Sequence, residues 1–254
     1  MEIQVFDSYE EMSINAARLV AAQVRLKPDS VLGLATGSTP LGLYAELIRM
    51  YEEENLDFSE VVTLNLDEYL GLGPDDDQSY AYFMREKLFS KINIDPDSSY
   101  LPDGLAENPE EAAQEYEMLA DMLPRDLQIL GIGRNGHIGF NEPADAFPVE
   151  THVTDLAEST IQANQRFFDN ADQVPRQAIT MGMKQILAAK KIILLASGAD
   201  KAETISDLVF GKVTSQVPAS ILNLHPDVMV MLDEAAARYL VEAYGFDDED
   251  IAGE

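Results

Sequence analysis

Four short polar segments hold the residues best suited to chemistry: "ATGSTP" (35–40), "NLDEY" (65–69), "GRNGHIGFNEP" (133–143) and "SGADK" (197–201). His137 lies in a glycine-rich run, in a chain that has only 3 histidines. Imidazole exchanges protons near neutrality. Asn135 and Glu142 are close enough in sequence to orient the ring, and a carboxylate partner would raise its basicity. Asp67 and Glu68 are adjacent, so on an extended chain they face opposite ways. One can enter a cleft as a base while the other supports it. Thr36, Gly37, Ser38 and Thr39 form a turn of small residues leading into a helix. Close backbone approach, hydroxyls and helix N–H groups together suit a phosphate. No Walker lysine follows, so a nucleoside triphosphate is not implied. Lys201 falls in the first turn of an expected helix, where a cation gains nothing from the helix dipole. With Arg166, in "NQRFFDN", it can supply positive charge to an anionic ligand.

Gly131, Gly133 and Gly136 also satisfy G-x-G-x-x-G, and Asp155 lies near the distance of a ribose-binding carboxylate. That fingerprint needs a helix directly after its third glycine. Here Gly139, Pro143 and Pro148 interrupt any helical run, so the glycines serve His137 instead. His152 and His225 have no comparable surroundings and are expected to be structural. No second histidine lies at ligand spacing from His137, and the chain has no cysteine, so no metal site is expected.

Alternating elements must position these segments. Apolar residues at helical spacing follow Ser8, a candidate N-cap. A strand is expected at 30–36, then a helix over 39–54 with Thr39 as cap and Pro40 in its first turn. Strands follow at 61–66, 127–133, 190–197 and 227–233. Further helices are expected over 79–89, 109–123 and 199–211, the last ended by Gly211. Strands so apolar, bounded by helices, indicate a parallel sheet covered on both faces. The expected fold is a three-layer, Rossmann-like α/β domain over 1–245, its mostly parallel sheet flanked by helices, with an acidic tail at 246–254. The four polar segments fall at strand carboxyl ends, where such sheets bind ligands.

The 254 residues carry 46 Asp+Glu against 17 Lys+Arg, a formal charge of −29. That field repels nucleic acid and anionic lipid, so neither is expected as a partner. The acidity reads either as a heavily solvated surface or as adaptation to high salt, where screening relieves self-repulsion. The chain shows no signal peptide, and no stretch approaches the ~18 apolar residues of a membrane span, so a cytoplasmic protein is expected.

Together, "LGLATGSTPLGLY", "VVTLNLDEYLGL", "SYAYFMREKLF", "LGIGRNGHIGFNEP", "NQRFFDN…VPRQAITMG", "SGADKAE" and "PASILNLHP" closely resemble the glucosamine-6-phosphate deaminases, from about 31 to 232. The resemblance implies conversion of glucosamine 6-phosphate and water to fructose 6-phosphate and ammonia, with no cofactor. Asp67 would move a proton between C2 and C1, and His137 would open the sugar ring with Glu142 and Asn135 beside it. Thr36, Gly37, Ser38, Thr39, Arg166 and Lys201 would hold the substrate and its phosphate, Arg166 riding on a mobile lid at 156–177. The same superfamily includes 6-phosphogluconolactonases and non-catalytic sugar-phosphate sensors, which are the alternatives. Relatives range from monomers to hexamers, so the oligomeric state stays open. Two departures stand out. Asn135 replaces an aspartate found in many members, so Glu142 carries more of the tuning. His152 and Thr154 stand where activated hexamers carry cations, so activation by N-acetylglucosamine 6-phosphate is not expected.

Overall fold

The computed structural model describes residues 1–157, 161 and 174–244. Arg166, most of the expected lid and the acidic tail lie outside the described residues. The chain begins with strand β1 (Glu2–Phe6) and helix α1 (Tyr9–Leu26), followed by β2 (Val31–Leu34) and α2 (Leu41–Glu54). Two strands, β3 (Val62–Asn65) and β4 (Asp67–Tyr69), precede α3 (Tyr80–Lys87), β5 (Ser99–Tyr100) and α4 (Pro109–Met122). Then come β6 (Leu127–Gly131), β7 (His152–Asp155), β8 (Gln177–Thr180), a short α5 (Met183–Leu187) and β9 (Ile192–Ala196). The last described elements are α6 (Ala202–Phe210), β10 (Val228–Asp233) and α7 (Glu234–Tyr244).

Among the described residues, seven strands form one parallel sheet in the order β1-β10-β9-β6-β2-β3-β5. Its central strands are buried throughout, "IILLA" in β9 and "VMVMLD" in β10, because helices cover both faces. In α1, Ser8 Oγ accepts from Glu11 N at 3.1 Å, satisfying one of the free N–H groups at the helix start. Ala16, Ala17, Val20, Ala21 and Val24 are buried along the same helix, and such small side chains allow close packing. From β2 the chain moves outward through β3 to β5. It then returns to β6 and runs the other way to β9 and β10. The carboxyl ends of β2 and β6 therefore flank the reversal point, where an open α/β sheet leaves a crevice.

Two sequence expectations are corrected. Thr39 does not cap α2. Pro40 takes the cap position with no side-chain bond, and the helix starts at Leu41. The helix expected over 199–211 is split into a 3-10 turn at Ala199–Lys201 and α6, which Gly211 ends. The sequence reading also missed a second, antiparallel sheet, ordered β4-β8-β7. Its strands are short and polar, so neither alternation nor apolar run length reveals them. No described helix is long and apolar enough to cross a membrane.

Candidate active site

Between β6 and β7 the chain has no helix, as the prolines require, and the dinucleotide reading fails. Gly133 N donates to His137 O at 2.9 Å and Gly136 N to Gly133 O at 3.1 Å, closing a tight turn after β6. A Cβ on Gly133 would lie 2.4 Å from the His137 ring, so only glycine leaves the imidazole its place. The ring Nδ1 is buried and sits 3.0 Å from Glu142 Oε1, within ion-pair reach but off the line of a hydrogen bond. The other carboxylate oxygen, Oε2, accepts from Asn135 Nδ2 at 2.5 Å. Asn135 Oδ1 in turn accepts from His137 N at 3.3 Å. An amide at position 135 thus donates to the carboxylate beside His137, where an aspartate would repel it.

Asp67 arrives on β4, held antiparallel to β8 with Asp67 opposite Thr180. Thr180 Oγ1 accepts from Phe140 N at 3.1 Å, tying that strand to the histidine loop. Gly139 has φ +58, and a Cβ there would lie 2.9 Å from Thr180 Oγ1 and 3.5 Å from Asp67 Oδ2. The Asp67 carboxylate therefore lies against the loop that carries His137. Asn141 Nδ2 fixes the same loop, donating to Ile138 O at 2.9 Å and Met181 O at 2.8 Å. Asp67 is 6% exposed, and burial pushes its carboxyl up to about 8, with the Glu68 charge adding to the effect.

Glu68 points the other way, as period-two alternation requires. Its Oε1 accepts from Tyr69 N and Tyr80 N, both at 2.9 Å, and its Oε2 from Ala81 N at 2.8 Å. Burial still outweighs these donors and raises the group to about 7. The Tyr80 hydroxyl donates to Tyr69 Oη at 3.0 Å and faces the Thr36 side chain. The Tyr80 ring lies 4.6 Å from that of Tyr69 and 6.0 Å from that of Phe140, nearly parallel to the latter.

Ser38 and Thr39 line a cavity of about 490 Å³ with Tyr9, Leu41, Gly42 and Ser197. Gly37 stands beside open space. Two of the helix N–H groups expected to face an anion are already engaged: Leu41 N donates to Ser38 O at 3.3 Å, and Gly42 N to the Tyr9 hydroxyl at 2.8 Å. The Tyr9 oxygen also lies 3.2 Å from Ser38 O and 3.0 Å from Thr39 O. Lys201 is half-buried at the start of α6, and that burial lowers its ammonium below the ordinary value, with Asp200 opposing. Asp200 itself pairs with Arg134 at 2.8 Å. A second cavity of similar volume lies against α4. Its walls include Asp103, Glu107, Glu111 and Glu115 and none of the expected site residues, and they would repel a phosphate.

The structure thus brings Asn135, His137 and Glu142 together, sets Asp67 against their loop, and places Thr36 in an aromatic cluster. His225 is buried and structural, its Nε2 2.7 Å from Ala189 O. Tyr9, Tyr80 and Thr180 were missed. Tyr9 and Tyr80 read as ordinary helix-start aromatics, and Thr180 ends a strand the sequence does not announce.

The family model of glucosamine-6-phosphate isomerases/6-phosphogluconolactonase matches residues 7–231. Glucosamine-6-phosphate deaminases of Clostridium perfringens and Halothermothrix orenii are each 55% identical, over 94% of this chain and 100% of theirs. A solved monomeric glucosamine-6-phosphate deaminase is 48% identical and superposes with a TM-score of 0.91, covering 94% of this chain and 99% of its own. A 6-phosphogluconolactonase from Trypanosoma brucei shares the fold at a TM-score of 0.74 with 20% identity, covering 94% of this chain and 98% of its own.

Proposed function

Because this chain belongs to the glucosamine-6-phosphate isomerase/6-phosphogluconolactonase family, we propose that it deaminates glucosamine 6-phosphate to fructose 6-phosphate and ammonia. The observation that carries the reading is that two ionisable groups in different settings are held against one loop after β6. One is the buried Asp67 carboxylate and the other is His137 beside Glu142. An aldose-to-ketose shift needs both, one for ring opening and one for transfer between adjacent carbons.

His137 takes the proton of the anomeric hydroxyl and returns one to the ring oxygen, opening the sugar. Glu142 stabilises the imidazolium formed in between, and Asn135 holds that carboxylate in place. Ionised Asp67 removes the proton from C2 and delivers it to C1, while one proton of the C2 ammonium passes to the C1 oxygen, which becomes a hydroxyl. The imine left at C2 is hydrolysed by water, which places the carbonyl oxygen there and releases ammonia. The ammonium on C2 of the bound substrate favours the charged form of Asp67, which burial otherwise opposes. Gly37, Ser38, Thr39, Lys201 and Arg166 bind the phosphate, and that remote binding energy holds C1 and C2 against Asp67. The setting is cytoplasmic amino-sugar catabolism.

Incubation with glucosamine 6-phosphate should release ammonia and form fructose 6-phosphate in equal amounts. No release, or hydrolysis of 6-phosphogluconolactone instead, would refute the assignment.

A further inference from the structure

We propose that Glu68 is a positioning residue that locks the base, the Thr36 turn and the histidine loop at fixed separation. It does so by fastening the start of α3 to the strand bearing Asp67. The inference rests on the deaminase reading for its assay.

A helix start on a protein surface needs only a short polar cap, and α3 already has one. Ser79 Oγ accepts from Tyr82 N at 3.0 Å. Glu68 satisfies two further N–H groups of the same turn from a different element, and it is only 2% exposed. A buried carboxylate is costly unless its acceptor sites are filled. Here three backbone donors fill them, one from β4 itself and two from α3. The result is a rigid joint between β4 and the residue that opens the helix, Tyr80.

Tyr80 passes that joint on. Its hydroxyl reaches Tyr69 on β4 and Thr36 in the turn after β2, and its ring faces Phe140 in the histidine loop. Phe140 N is held by Thr180, which stands opposite Asp67. One carboxylate therefore anchors a closed circuit running through β4, α3, the Thr36 turn, the histidine loop and β8. Asp67 cannot shift relative to His137 without straining a member of that circuit. Asp67 and Glu68 thus divide two tasks between adjacent carboxylates: one meets substrate and the other fixes where the first one stands.

The test compares full-length Glu68→Ala, Glu68→Gln, Tyr80→Phe and Ser79→Ala with the wild type, assayed well below every unfolding midpoint. Ammonia release by wild type establishes the assay and the underlying reading independently of the variants. Glu68→Ala should lower kcat about 30- to 100-fold, as expected for a misplacement of about 1 Å, with KM within about threefold. Glu68→Gln keeps an acceptor for Tyr69 and Tyr80 but turns an amide N–H toward Ala81 N, so its loss should be intermediate. Tyr80→Phe breaks the circuit without touching the carboxylate and should lower kcat about 3- to 10-fold by loss of the hydrogen bond to Tyr69. Ser79→Ala removes the ordinary cap alone. It should lower the unfolding midpoint and leave kcat unchanged. Wild-type kcat in folded Glu68→Ala or Glu68→Gln would overturn the proposal. So would wild-type kcat in Tyr80→Phe, or a Ser79→Ala loss as large as that of Glu68→Ala.

Discussion

Asp67 ionises against its surroundings, because 6% exposure leaves its charge little water and Glu68 adds repulsion. The first consequence is kinetic. A base raised to about 8 gains its active form as pH climbs, so kcat/KM should rise between about pH 6 and 9. A flat profile over that range would remove Asp67 from the role. The second consequence is thermodynamic. The folded value exceeds the ordinary carboxyl value of about 3.9, so Asp67 contributes stability that is present below pH ~4 and lost as pH rises through about 8. Asp67→Asn should therefore lower kcat by about 10²- to 10⁴-fold and also raise the melting temperature. That gain should widen from pH 5 to pH 8.5. Thermal melts of both proteins across pH check this, and a pH-independent gap would contradict it.

Among the elements, the histidine loop and the turn before α2 make separate predictions. Gly133→Ala places a methyl group 2.4 Å from the imidazole, and the displaced ring should cost at least about 10² in kcat while the fold survives. Tyr9 braces the turn before α2 from a different helix. Tyr9→Phe releases Gly42 N, and it should raise KM for the sugar phosphate about 3- to 10-fold with little change in kcat. An unchanged KM would show that the turn holds its shape unaided. These elements were unevenly legible in the sequence. The parallel strands announce themselves by unbroken apolar runs, and "GRNGHIGFNEP" by a rare histidine among glycines and prolines. The β4-β8-β7 sheet was silent because three- and four-residue polar strands leave no periodicity. The Tyr80 and Tyr9 contacts were equally silent, since they join segments that only the folded topology brings together.

At the scale of the molecule, the formal charge of −29 is relieved only locally. Asp126 holds both Lys27 and Lys190, Lys184 serves Glu117 and Asp121, and Arg49 is shared among Glu46, Glu53 and Glu54. The remaining carboxylates repel one another over distances that salt shortens, from a Debye length of about 10 Å at 0.1 M to about 3 Å at 1 M. Raising sodium chloride from about 0.1 M to 2 M should therefore raise the melting temperature, and an unchanged or lower value would contradict that. Rate curves should also be hyperbolic and unmoved by N-acetylglucosamine 6-phosphate, because His152 and Thr154 offer no fixed cation on β7. Sigmoidal curves relieved by that sugar would contradict this. The register of the sheets has a bearing on synthesis as well. Glu2 on β1 pairs with Met229 on β10, and Asp67 with Thr180. A nascent chain emerging from the ribosome therefore carries Asp67 with no strand opposite it until the segment that holds Thr180 has also been made.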